Sequence, residues 1–273
     1  MTVADLHVHT TNSDGTLTLE TLAPAAERAD LAAVAVTDHD RLHPDLADGV
    51  STLDGITVIH GIELRVETPV QRIDLLGYGV ERTDDLQGLV EHLQTDRVER
   101  ARAIVECVED RLGVDLAVPF EPGVGRPHIA RAIADSEADV GYDDAFDGLI
   151  GDGDPCYVSR DIPSFEEGTR ILSEACDVVG LAHPFRYGQP GAALERAREL
   201  DAVEVAYPYS REVDVEPAAR IAAVGIRNLD GVQFSRPLQC CLRVRVPEGV
   251  REPDDVTGPR QDPGSVREWG DIP

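Results

Sequence analysis

Lysine is absent from this 273-residue sequence, so its 25 basic residues are all arginine. There is one Met, one Trp and only 4% aromatic residues, so a core must be assembled from Val, Leu, Ile and Ala. Long apolar runs are missing too. The strongest lies near residues 31–36 and falls far short of the roughly 20 residues a membrane helix needs. No basic stretch followed by an apolar one opens the chain, so the expectation is a soluble, cytoplasmic protein without a signal peptide. Positive charge is scarce: 25 basic against 52 acidic residues leave a formal net charge of −27. That balance argues against stable binding of duplex DNA and against docking on anionic lipid, both of which need a basic footprint. Lysine-free acidity with little Met suggests a halophilic protein from a very salty cytoplasm, where the Debye length is about 3 Å and bulk charge does not repel an anionic substrate. The five cysteines are odd in number and show no CxxC spacing, which argues against a disulfide framework or zinc ribbon and for reduced thiols.

What is present is a foldable α/β pattern. Apolar residues make up 42%, and the length suits one large domain or a domain with an insertion. Short β-branched runs at 3–8, 33–37, 56–62, 73–77, 178–182 and 202–206 alternate with helical patterns at 19–29, 165–176, 192–200 and 215–224. The strands are apolar throughout, as parallel strands covered by helices are, so a barrel or layered sheet is expected. Residues 84–112 carry apolar positions at three- and four-residue steps, the signature of a long amphipathic helix. With 129–135 and 143–150 they make a helical insertion over 83–163, between barrel segments 1–82 and 164–247. A further strand is expected near Ile226 and another at 242–247, and residues 248–273, rich in Pro, Gly and charge, read as a flexible tail.

The chemistry lies at strand ends. His7 and His9 are two apart, so a strand presents both on one face, with Asp14 in the following polar loop. Thr37-Asp38-His39-Asp40 follows the apolar run LAAVAV, where α/β enzymes keep their working groups. Glu63 closes ITVIHGIE and can bridge two cations; His60, of opposite parity, faces away. Asp74 lies inside the apolar RIDLLGYG, and burying a carboxylate demands a cation or a basic partner. Pro127 suits a first helical turn and places His128 at a helix start. His183 follows VVGLA, and Glu204 lies in AVEVAY. Five of the eight histidines occupy such places; His43, His60 and His92 are read as structural.

The segments HVHTTNSDG, TDHD, GIE, LLGYG, GRPHIARAI, DPCYV and LAHPFRY, in this order over residues 3–206, resemble the PHP (polymerase and histidinol phosphatase) family of metal-dependent phosphoesterases, in its TrpH-like branch of nucleotide phosphatases and 5′-to-3′ exonucleases. The resemblance implies a distorted (β/α)7 barrel holding two or three divalent cations, Mn, Fe or Zn. It implies His7 and His9 on one cation, Glu63 bridging to a second that Asp74 and His128 complete, and Asp14 and His39 on a third. It casts His183 against substrate phosphate or a metal-held water, with Arg126 and Arg186 as phosphate clamps. The substrate class implied is a small phosphorylated molecule, a nucleotide or a single-stranded oligonucleotide end. The family's terminal Asp and His are replaced by GIRNLDGVQFSRP, which offers Asp230 and no histidine. That departure motivates an alternative, a degenerate PHP domain with partial metal binding that serves as a non-catalytic module. An amidohydrolase reading shares the HxH strand but expects a lysine ligand, which this chain lacks.

Overall fold

The computed structural model describes residues 4–209, 211–221 and 242–244. The chain begins with β1 (Ala4–Val8), α1 (Leu19–Arg28), β2 (Ala33–Val36), β3 (Val50–Leu53), β4 (Ile56–Glu67) and β5 (Arg72–Tyr78). Three helices follow: α2 (Asp84–Leu112), α3 (Arg126–Ala134) and α4 (Tyr142–Gly148). The path returns to the sheet with α5 (Phe165–Ala175), β6 (Val178–Leu181), a 3-10 turn at Pro184–Arg186, α6 (Pro190–Ala197), β7 (Ala202–Glu204), α7 (Glu216–Ile221) and β8 (Leu242–Val244). The strand expected near Ile226, Asp230 and the tail at 248–273 lie outside the described residues.

The strands form one curled, half-barrel sheet in the order β1-β2-β4-β5-β6-β7-β8, with β3 paired to β4. It is mixed rather than all parallel. β1, β2 and β4 run parallel, as do β6 and β7, but β5 is antiparallel to both β4 and β6. The cause is local. β4 continues to Glu67, and Thr68 Oγ1 then accepts from Val70 N and Gln71 N and donates to Gln71 O. A connection this short joins only antiparallel strands.

The long helix α2 serves two cores. Its first half sends Leu86 and Leu93 into a cluster with Leu64, Phe165 and Leu172 on the sheet side. Its second half packs Ala101, Ile104, Val105 and Val108 against Ile129, Ile133 and Ile150. Thr83 caps its start by accepting from Leu86 N, and Gly113 ends it at φ +68°, a left-handed conformation that glycine adopts without Cβ strain.

The second cluster also holds a disulfide, Cys107–Cys156, with Cα atoms 5.6 Å apart and a sequence separation of 49. This corrects the expectation of reduced thiols. The pairing is set by the packing of α2 on the segment after α4, which no sequence spacing signals. Cys176 keeps a free thiol, which burial pushes up to about 12.

Candidate metal centre

Strands β1, β4 and β5 and the segments that follow β1, β2 and β6 bring the chemistry together. β1 delivers His7 and His9 on one side, with their Nε2 atoms 3.1 Å apart and rings stacked at 5.1 Å. The loop after it folds back sharply. A Cβ on Gly15 would lie 2.2 Å from His9 O, so only glycine allows this approach. The fold-back carries Asp14 to His9 Nδ1 at 2.8 Å. Asp38, at the end of β2, holds the loop in place: its carboxylate accepts from Thr10 N at 2.7 Å, Thr10 Oγ1 at 2.8 Å, Ser13 Oγ at 2.7 Å and Asn12 Nδ2 at 3.2 Å.

Glu63 is the hub. It lies within β4, not at its end, and its side chain is 1% exposed. Oε2 stands 3.2 Å from His7 Nε2, 3.1 Å from His9 Nε2 and 2.9 Å from His39 Nδ1. Oε1 stands 2.8 Å from His183 Nε2. Burial alone would raise the Glu63 carboxyl; the charges of His39 and His7 and the bond from His183 outweigh it and hold it well below the usual range. Burial likewise opposes a proton on His9, but its bonds to Asp14 and Glu63 win and raise it to about 9. Asp14 is drawn down to about 2, because the imidazoles of His9 and His39 outweigh its own desolvation.

Among the described residues, three groups offer donor atoms mutually within 4.8 Å: His7, His9 and Glu63; His9, Asp14 and His39; and Glu63, Asp74 and His183. The donor chemistry fits divalent cations. Two imidazole nitrogens face each other across 3.1 Å beside a buried carboxylate oxygen that also has His39 Nδ1 at 2.9 Å. Only a shared proton or a cation relieves that crowding, and imidazole with carboxylate is the donor set of Mn, Fe and Zn sites.

The other expected residues are distributed unevenly. Asp74 receives a bidentate guanidinium from Arg65, Nε to Oδ1 at 2.6 Å and Nη2 to Oδ2 at 2.7 Å, because antiparallel register sets the two residues opposite each other. It therefore has the basic partner its burial demands, and also lies 3.7 Å from His183 Nε2. His128 starts α3 but falls outside the three groups. Its Nδ1 accepts from Gly125 N, and it lines a small cavity shared with Ser13, Asp14, His39 and Arg97. Arg126 donates to Ile150 O and Asp152 and lies near the Phe146 and Tyr157 rings; none of these partners belongs to the imidazole cluster. Arg186 is exposed and donates to Tyr207 Oη at 3.1 Å, and the Tyr207 ring stands 5.1 Å from His183. His60 is buried away from the cluster with neither ring nitrogen hydrogen-bonded, and exposed His92 meets Asp161.

Several working residues had no role assigned from sequence. Glu204 on β7 accepts from the backbone amide of His183 at 2.6 Å and lies 3.3 Å from His7 Nδ1, so it orients the His7 imidazole and anchors the His183 backbone. A carboxylate behind a metal-binding histidine fixes its tautomer and ring direction. Asp40 is gripped by Arg97, Arg160 and the Arg65 amide. Its position after His39 marked it; its partners, far along the chain, gave no signal.

Comparison with known proteins places this geometry. The model of the PHP domain matches residues 5–120. The 3′,5′-nucleoside bisphosphate phosphatase of Chromobacterium violaceum is 30% identical over 205 residues, covering 70% of this chain and 70% of that protein. The chain belongs to the PHP-domain family. Another relative of this PHP domain, the 5′-3′ exoribonuclease Rnm of Escherichia coli, is 28% identical over 219 residues, 75% of each chain. A solved protein from Bifidobacterium adolescentis, provisionally described as a metal-dependent phosphoesterase, superposes with a TM-score of 0.63 at 22% identity over 81% of this chain and 83% of its own. That likeness shows a shared fold.

Proposed function

We propose that this PHP domain removes phosphate from a nucleotide or from the end of a single-stranded oligonucleotide. As a member of the family with clustered His, Asp and Glu donors, it is a metal-dependent phosphoric-ester hydrolase. The observation that carries the reading is the convergence of His7, His9, His39 and His183 on the two oxygens of Glu63, all within 3.2 Å. His7, His9, Glu63, Asp14 and His39 would hold two cations, with Asp74 and His183 the donors for a third; Mn, Fe or Zn suits them better than Ca. Asp230 is a further candidate donor from sequence. The chemistry such cations supply when bound is a more acidic water and an offset for phosphoryl charge.

The chain's own groups do the rest. Glu204 keeps Nδ1 of His7 occupied and so turns Nε2 toward the cluster. His183 sits at φ +25°, a strained backbone held by the bond from its amide to Glu204 and by the turn that follows. Arg186, steadied by Tyr207, would receive phosphate oxygens, for which a guanidinium is shaped. The helical stretch 83–163 would wall one side of the cleft through Arg97 and His128.

The test is phosphate release by the manganese-loaded protein from p-nitrophenyl phosphate, thymidine 5′-p-nitrophenyl phosphate and adenosine 3′,5′-bisphosphate. Turnover of at least one nucleotide ester, abolished by chelation and restored by manganese, is expected. A full metal load with no turnover of any ester would support the non-catalytic module instead.

A further inference from the structure

A cation beside the metal centre has only part of its donors engaged. Along β4 every residue from Val58 to Val66 is buried except Arg65. Arg65 lies two positions after Glu63, so both side chains stand on the same face of the strand. Its side chain is 35% exposed, against 0% for Asp74, 1% for Glu63 and 3% for His183. Those three buried residues are one of the donor groups of the centre. Arg65 therefore stands between that group and solvent, where an incoming solute meets it.

The guanidinium is held in a fixed orientation. Nε and Nη2 donate to the two oxygens of Asp74 at 2.6 and 2.7 Å, and Asp74 Oδ2 stands 3.7 Å from His183 Nε2. The backbone is tied as well: Arg65 N donates at 3.0 Å to Oδ1 of Asp40, the residue after His39. A guanidinium has N–H donors on every side of its plane, and the pairing with Asp74 uses only the Nε side. Nη1 makes no hydrogen bond among the described residues and is not buried. The Nη1–Nη2 end is thus a second fork, open to solvent, of the shape that takes two oxygens of a phosphoryl group.

We propose that Arg65 binds the phosphoryl group that reacts: Asp74 holds its Nε side, and the free Nη1–Nη2 end donates to the non-bridging oxygens of the phosphorus beside Glu63 and His183. Neutralising Asp74 would need the Nε side alone. Arg126 does not fill this place, because Asp152 and Ile150 hold it away from the cluster. Negative charge gathers on the phosphoryl oxygens as the ester breaks, and a donor already fixed in position is worth most there. Loss of Arg65 should therefore lower kcat as well as weaken binding. The proposal rests on the hydrolase reading for the ester, but phosphate binding by Arg65 does not need turnover.

The experiment is calorimetry of inorganic phosphate binding to the manganese-loaded full chain, desalted to remove free metal, with variants compared at matched bound manganese. Arg65→Gln is expected to weaken phosphate binding at least tenfold and to lower kcat/KM for p-nitrophenyl phosphate at least tenfold per bound manganese. If Arg65 served only to neutralise Asp74, the variant would melt at a lower temperature with phosphate affinity and activity per manganese unchanged, and that result overturns the proposal. A wild type that binds no phosphate at millimolar concentration overturns it too. If Arg65→Gln does not melt cooperatively, Arg65→Lys decides: it keeps a charge for Asp74 without the second fork, and at least threefold weaker phosphate binding is expected, unchanged binding being the contrary result. Phosphate binding that depends on Arg65, with no turnover of any ester, would sink the hydrolase reading and leave this contact standing; turnover and phosphate binding both indifferent to Arg65 would do the reverse.

Discussion

Glu63→Gln is expected to remove bound metal and hydrolysis together, with a loss in kcat/KM beyond the roughly 10–100-fold that mutation of a partner behind a metal ligand typically costs. The reason is geometric. One carboxylate faces four imidazoles: Oε2 meets those of His7, His9 and His39, and Oε1 that of His183. The amide keeps the volume but presents one neutral oxygen and one NH2 donor, so it supplies neither the charge nor the second acceptor. In the metal-free protein the substitution also withdraws one of the two acids that hold a proton on His9. Its imidazole should then titrate below about 9 and closer to the ordinary value. Metal analysis and NMR titration of the histidine ring protons check the two halves. Unchanged metal content in Glu63→Gln would place the cations elsewhere.

Asp40→Ala is expected to cost about 3–5 kcal/mol of stability, the usual penalty for stranding a buried charge by removing its partner. Asp40 is 0% exposed and accepts from Arg97 and Arg160, with the amide of Arg65 as a third donor. Burial would raise its carboxyl, but the charges of Arg160 and Arg97 dominate and hold it far below the usual range. Without it, among the described residues Arg160 keeps only Asp96 at 3.9 Å and Arg97 keeps no carboxylate partner, and the backbone at φ +51° loses the side chain that anchored it. Urea denaturation with an unchanged slope reads the loss. A change under 1 kcal/mol would mean that water or a movement of Arg97 and Arg160 replaces the carboxylate.

Strand parity accounts for what the sequence made legible. His7 and His9 lie on one face because side chains alternate along a strand, and the same alternation turns His60 away from the Glu63 cluster. His183 and His39 were legible because polar residues directly follow short apolar runs. Less visible was what depends on register. The apolar stretch from Ile56 does not announce that β4 runs to Glu67, so Glu63 reads as a strand end and Arg65 goes unnoticed, although the hairpin sets it opposite Asp74. Contacts between distant segments were hidden altogether. Asp40 meets Arg97 and Arg160 only because α2 and the segment before α5 pack over the end of β2, and Cys107 meets Cys156 by the same kind of closure. Arg126, given a phosphate role by resemblance, is held by Asp152 and Ile150.

The most direct measurement is anomalous diffraction from crystals of the full chain soaked in manganese. Peaks within about 2.0–2.3 Å of His7, His9 and Glu63, with another beside Asp14 and His39, are the expected result. Manganese bound only at surface carboxylates, with the Glu63 cluster unchanged and free of ions at saturating concentration, would contradict the account.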